Sequence, residues 1–201
     1  MKKLIISTYM VSLVATISAQ NNECKYEKNE LDKFTHKKIV LTKWEYLTTL
    51  LGNMKEYVPS VRCLKEDTLK QLILNIDGNY FTSFKPTKEE IDSAIVVPVG
   101  SKVVFLMEDQ KPVELATAKN LNSNGDYTSP FTGDNKSEKF RVHWNIDIYY
   151  PLDNNAIKAF TSQGATAIRV FFKNNKYTDY NIHKKKYGAI QHLMNCISQA
   201  E

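Results

Sequence analysis

The 201-residue sequence predicts a mainly β fold of the β-rich α+β class, with an antiparallel sheet that is curled, split into a sandwich or closed like a barrel. Three observations predict it. One segment alternates strictly between apolar and polar residues, several shorter apolar runs come in pairs, and helical periodicity occurs only late in the chain. We expect a short helix and a C-terminal helix packed on the sheet, covering an exposed edge or the open end of a barrel-like core.

The clearest predicted strand spans residues 140–150. Successive side chains of a strand point to opposite faces, so strict alternation indicates one buried and one wetter face. The face predicted to be buried carries Phe140, Val142, Trp144, Ile146, Ile148 and Tyr150. The opposite face carries Arg141, His143, Asn145, Asp147 and Tyr149.

Further strands follow from β-branched and aromatic runs bounded by turn residues. Residues 39–47 and 95–99 read as single strands. Three segments read as hairpins: 68–84 with its turn at Asp77-Gly78-Asn79, 102–118 with a turn at 108–112, and 165–182 with a turn at 174–176.

Two segments have helical patterns, and one segment has no period at all. A short helix capped by Asp153 or Asn154 runs through Phe160, and a longer one spans about 185–198 with an apolar face. Residues 119–138 are rich in Asn, Ser, Gly and Asp and predict a long polar loop.

The first 19 residues have the order of a secretory signal peptide. Lys2 and Lys3 precede an apolar run, and Ile17-Ser18-Ala19 supplies a small-residue cleavage site before Gln20. The sequence therefore predicts a signal peptide at 1–19 and one β-rich domain at 20–201, located in the periplasm or outside the cell. Removing the two leader lysines lowers the formal charge from +5 to +3, too little to indicate a nucleic-acid partner.

Three cysteines remain after the leader: Cys24, Cys63 and Cys196. An oxidising compartment permits one disulfide and leaves one thiol. Because the termini of a domain commonly lie close together, we predict a Cys24–Cys196 bridge, with Cys63 unpaired. Asn21-Asn22-Glu23 before Cys24 does not fit a lipidation signal, so no membrane anchor is expected on the mature chain.

Recognised catalytic and cofactor motifs are missing from the sequence. It contains no H-E-x-x-H, no G-x-S-x-G and no Gly-rich phosphate loop, so we predict no cofactor and no metal. His183 and His192 are nine positions apart, which places them on different sides of a helix. Cys63 is flanked by Arg62 and Lys65, which would activate a thiol, yet a structural role is favoured over a nucleophilic one.

Segments near both ends resemble a group of exported bacterial proteins. They are residues 29–35, Ile168-Arg169-Val170, Tyr177-x-x-Tyr180-x-Ile182, Lys184-Lys185-Lys186 and Asn195-Cys196-Ile197. In these segments the chain resembles small exported β-rich proteins of bacteroidetes-type bacteria that have no assigned activity. The resemblance implies export and a β-rich fold, and it transfers no functional residues.

The polar face of strand 140–150 supplies the candidate binding residues Arg141, His143, Asp147 and Tyr149. Residues four apart on a strand are separated by roughly 13 Å, so His143 and Asp147 cannot pair directly but can both touch one extended ligand. The sequence favours a non-enzymatic exported domain that binds a protein or a glycan through a sheet face or the long loop. The alternative is a small extracellular hydrolase whose site is assembled from residues distant in sequence.

Overall fold

The computed structural model describes residues 23–48, 58–131 and 139–200, so the predicted signal peptide lies outside the described residues. The fold is about 51% strand and 20% helix, with a curled antiparallel half-barrel sheet, a short helix and a C-terminal helix. The predicted mainly β class is therefore confirmed.

The elements follow one another along the chain as thirteen described strands and three described α-helices. The strands are β1 (Tyr26–Leu31), β2 (Lys38–Thr42), β3 (Glu45–Tyr46), β4 (Val58–Glu66), β5 (Leu69–Thr82), β6 (Val96–Val97), β7 (Lys102–Met107), β8 (Pro112–Ala116), β9 (Leu121–Asn122), β10 (Asn124–Phe131), β11 (Lys139–Pro151), β12 (Ala165–Phe171) and β13 (Tyr177–Asn181). The helices are α1 (Lys88–Asp92), α2 (Asn154–Ser162) and α3 (Ala189–Gln199), with 3-10 turns at Lys173–Asn175 and Lys184–Lys186.

These strands form two sheets and a ribbon, and every pairing is antiparallel. The large sheet has the order β1-β2-β4-β5-β11-β10, with β3 also paired to β4. A four-stranded sheet has the order β13-β12-β7-β8, and β6 pairs with β9. One apolar core joins both sheets to α2 and α3. Within it the Phe105 ring of β7 meets the Phe160 ring of α2 edge to face, with centroids 5.1 Å apart.

Strand β11 has the predicted alternation, except that Phe140 near its start is only half-buried. Val142, Trp144, Ile146, Ile148 and Tyr150 are all buried, and Trp144 is only 3% exposed. The predicted short helix and the hairpin at 165–182 are also present, and Asp153 caps α2 by accepting a hydrogen bond from the Ala156 amide. The hairpin of β7 and β8 matches its prediction as well.

The predicted hairpin at 68–84 is wrong. Leu69–Thr82 is one continuous strand, and the two-residue turn lies earlier, at Asp67-Thr68, where Asp67 has φ 51°. Asp77-Gly78 stays extended because β11 pairs with β5 along its length, from Gln71 opposite Pro151 to Thr82 opposite Phe140. In this ladder Gly78 lies opposite Trp144.

The predicted polar loop at 119–138 is wrong over most of its length. Leu121–Asn122 and Asn124–Phe131 are strands, and only residues 132–138 lie outside the described part. The segment has no apolar period because β10 is an outer strand of the large sheet, where few side chains are buried. Gly125 is required there, since a Cβ atom would lie 2.1 Å from the His143 carbonyl oxygen and 2.8 Å from Ile91 of α1.

Other elements differ from the sequence interpretation in smaller ways. The polar strand β1 and the helix α1 were not predicted, and the run at 39–47 is broken between β2 and β3 at Lys43-Trp44. The C-terminal helix begins at Ala189, because Lys184–Lys186 forms a separate 3-10 turn. Helix α3 packs on β2, β4 and α2 and so closes the core on that side.

Replacing Gly125 tests the close packing of β10 on β11 and α1. We expect Gly125→Ala to lower the free energy of unfolding by about 2–3 kcal/mol. The added methyl group would clash with the His143 carbonyl oxygen, which can shift only if the backbone of β11 shifts with it. Gly188→Ala is the matched control, since the nearest atom to its Cβ is 3.8 Å away, and it should cost at most about 1 kcal/mol. Urea unfolding of both variants measures the difference, and equal losses would contradict the packing described.

Candidate functional site

The four candidate binding residues lie on one face of β11, the face turned away from the core. Arg141 and His143 are exposed, and Asp147 and Tyr149 are half-buried. In the register of the large sheet, Asn79 lies opposite His143 and Asn75 lies opposite Asp147. The structure therefore spreads the four residues along the outer face of the sheet and does not gather them into a catalytic cluster.

Asp147 is held by its neighbours. The Asn75 Nδ2 donates to Asp147 Oδ1 at 2.7 Å, and Arg62 Nη2 lies 3.8 Å from Asp147 Oδ2. A carboxylate on a sheet face that is bound by an amide and a guanidinium is restrained in position. Asp147 thus contributes to the order of the outer face.

Arg62 of β4 is the residue at this face that sequence reasoning missed. Its guanidinium lies over the Trp44 ring at 4.2 Å from the centroid, and Nη1 forms an ion pair with Glu27 Oε2 at 2.9 Å. The side chain is only 15% exposed, so these contacts form largely away from bulk water. The sequence offered no signal for this stack, because β4 was not predicted and Arg62 was considered only as the neighbour of Cys63.

The predicted disulfide is present in the structure. Cys24 and Cys196 are bonded, with their Cα atoms 5.6 Å apart, and the bridge links the segment before β1 to helix α3. His192 lies one turn before Cys196, with Nε2 3.7 Å from the Cys196 sulfur. These three residues have the spacing of a metal-ligand group, but the disulfide occupies both sulfur atoms.

Cys63 is the free thiol and is fully buried. Burial raises the pKa of this thiol well above its ordinary value, because the thiolate would lose its hydration. Arg62 does not counteract this, since neighbouring residues of a strand point to opposite faces. Cys63 is therefore a core residue with no capacity to act as an exposed nucleophile in the folded protein.

A cleft opens beside the disulfide, between the β1–β3 region and the start of α3. Its volume is about 640 Å³, within the usual range for small-molecule sites. The lining residues are Glu23, Lys25, Lys43, Glu45, Lys185, Lys186, Gly188, Ala189, His192 and Leu193. Lys186 Nζ lies 3.0 Å from Glu45 Oε2, so one lysine and one glutamate of the cleft form an ion pair.

Three of the groups that could take part in bond-breaking chemistry are buried or already have a partner. The free thiol is buried, His192 contacts a disulfide sulfur, and His183 Nδ1 accepts a hydrogen bond from the Lys185 amide. Of the two carboxylates in the cleft, Glu45 is already bound by Lys186. The described residues therefore provide charged and aromatic contact surfaces, and the hydrolase alternative gains no assembled nucleophile–base pair from these groups.

No protein-family model matches the chain, and searches of curated proteins and of solved structures likewise gave no match. Among the helices that the structure describes, none has the length and apolar character needed to cross a bilayer.

The state of the cysteines can be tested by alkylation and peptide mapping. In the native protein we expect no label on any cysteine, because Cys24 and Cys196 are bonded and Cys63 is buried. In denaturant without reductant only Cys63 should react, and a non-reducing digest should retain a peptide pair joined through Cys24 and Cys196. Rapid labelling of Cys63 in the folded protein, or a bridge that includes Cys63, would contradict the assignment.

Proposed function

We propose that this chain is an exported binding domain whose partner, a protein or a glycan, is held by the outer face of the large sheet. The observation that carries the proposal is the composition of that face. Arg141, Tyr149 and the Arg62–Trp44 stack are of the residue types that dominate binding hot spots.

The outer face is a firm support for such contacts. Beneath it the alternate residues of β11 are packed in the core, and β5 and β10 pair with β11 on either side. Sites built on paired strands lose little conformational entropy when a partner binds. Arg62 and Asp147 add fixed charges of opposite sign to the same face.

Two features support the export part of the proposal. The predicted leader at 1–19 has the order of a signal peptide, and the Cys24–Cys196 disulfide is of the kind that persists in oxidising compartments. The large separation of the two cysteines in sequence means that the bridge constrains nearly the whole chain.

Export can be tested on the protein purified from its native source. We expect the N-terminus to lie at or within a few residues of Gln20, because cleavage follows Ile17-Ser18-Ala19. Intact-mass analysis of the periplasmic and medium fractions gives the answer. Retention of Met1 in a cytoplasmic fraction would disprove export.

The binding face can be tested with a matched pair of double variants. We expect Arg141→Ala combined with Tyr149→Ala to reduce capture of envelope material by immobilised protein at least tenfold, with folding unchanged by circular dichroism. The control is Arg169→Ala with Tyr177→Ala, because Arg169 lies over the Tyr177 ring, at 4.3 Å from its centroid, on the other sheet.

Treatment of the extract identifies the class of partner. Loss of capture after protease digestion indicates a protein, and loss after periodate oxidation indicates a glycan. If both double variants capture as much as the wild-type protein, the outer face is not the binding surface and the proposal fails.

A further inference from the structure

We propose that the lysine-lined cleft between the β1–β3 region and α3 is a separate binding site for a small polyvalent oxyanion, a sugar-sized molecule carrying two or more phosphate or sulfate groups. This site goes beyond the outer-face function proposed above. It uses none of the four candidate binding residues on β11.

The walls of the cleft carry an excess of positive charge. The described lining residues include four lysines and two glutamates, and the Lys186–Glu45 ion pair neutralises one residue of each sign. Lys25, Lys43 and Lys185 form no ion pair with any described residue, and all three are exposed. Three unpaired ammonium groups against the single carboxylate of Glu23 leave a positive field, which a concave wall concentrates.

Helix α3 contributes partial charge of the same sign. The N-cap residue of α3 is Gly188, which lines the cleft and has no side chain that could cap the helix. The first turn of α3 contains no acidic residue. The positive end of the helix dipole therefore adds to the field of the lysines. The lysines supply most of the positive charge, and the helix end adds a smaller part.

The backbone of both cleft walls is restrained without a ligand. The disulfide joins Cys24, next to Lys25, to α3, and the Lys43 amide donates to the Lys25 carbonyl at 3.0 Å. On the opposite wall, the Ala165 amide donates to the Tyr187 carbonyl at 3.0 Å, just before Gly188. An anionic ligand therefore meets restrained backbone on both walls, and it gains Coulombic attraction from each ammonium group that it approaches.

The volume and the lining of the cleft indicate the size and polarity of its ligand. A volume of about 640 Å³ accommodates a small molecule rather than a single ion. Among the lining residues that the structure describes, only Leu193 and Ala189 have apolar side chains, so this part of the wall offers an apolar ligand little surface to cover. A hydroxyl-rich molecule with two separated oxyanions fits both the volume and the charges.

Titration calorimetry with defined probes tests the site. The probes are a sugar bisphosphate, a disulfated disaccharide and the two uncharged parent sugars, each added to the purified protein at low ionic strength. We expect at least one charged probe to bind at one site per chain, and neither parent sugar to bind. The two charged arms distinguish a phosphate ligand from a sulfate ligand.

Matched lysine variants locate the binding. Lys43→Gln with Lys185→Gln should weaken binding of the charged probe at least tenfold, and Lys43→Arg with Lys185→Arg should retain it because the charges remain. The control is Lys184→Gln with Lys158→Gln, which removes the same net charge from two residues that do not line the cleft. Lys184 lies in the same 3-10 turn as Lys185. This control should bind within about twofold of the wild-type protein.

Three results would overturn the site. They are no binding of either charged probe to the wild-type protein, equal binding of the parent sugars, and equal weakening by the Gln pair and the control pair. The Arg141→Ala, Tyr149→Ala variant separates the two proposals. It should bind the charged probe normally, so loss of envelope capture and loss of oxyanion binding are independent outcomes.

Discussion

The fold depends first on the pairing of β5 with β11. These two long strands are in register from Gln71 opposite Pro151 to Thr82 opposite Phe140, and both are inner strands of the large sheet. The alternate residues of β11 supply much of the core beneath the sheet, and β4 and β10 are added on the outer sides of the pair. A slip of one residue would turn every buried side chain of β11 to solvent, so the burial of Trp144, Ile146 and Ile148 fixes the register.

The same pairing explains which parts of the fold the sequence could predict. The alternation of apolar and polar residues over 140–150 indicated β11, because this strand has one buried face and one solvent-facing face. The turn predicted at Asp77-Gly78 is wrong because a turn-forming dipeptide also stays extended when a partner strand of similar length is present, and that partner is distant in sequence. Strands β1 and β10 lie at the outer positions of the sheet and bury few side chains, so their local sequence carries no β pattern.

The candidate sites could also be predicted from the sequence only in part. Arg141, His143, Asp147 and Tyr149 were placed on one face by period alone, and that face is the one turned away from the core. The stack of Arg62 on Trp44 and the lysine cleft could not be read from the sequence, because each is assembled from separate strands or from a strand region and a helix. The disulfide was predictable because it required only that the two ends of a domain lie close together.

The Cys24–Cys196 bond also closes a covalent ring, because it joins two cysteines that are 172 residues apart along the chain. A protease that cuts any one peptide bond inside the ring produces no separate fragment, since both pieces remain joined through the sulfur atoms. The strands on either side of such a cut also remain paired in their sheets, because antiparallel ladders hold them to neighbours that the cut does not reach. A chain closed in this way tolerates a single nick in an exposed loop, and only a second cut or reduction of the bond releases part of it.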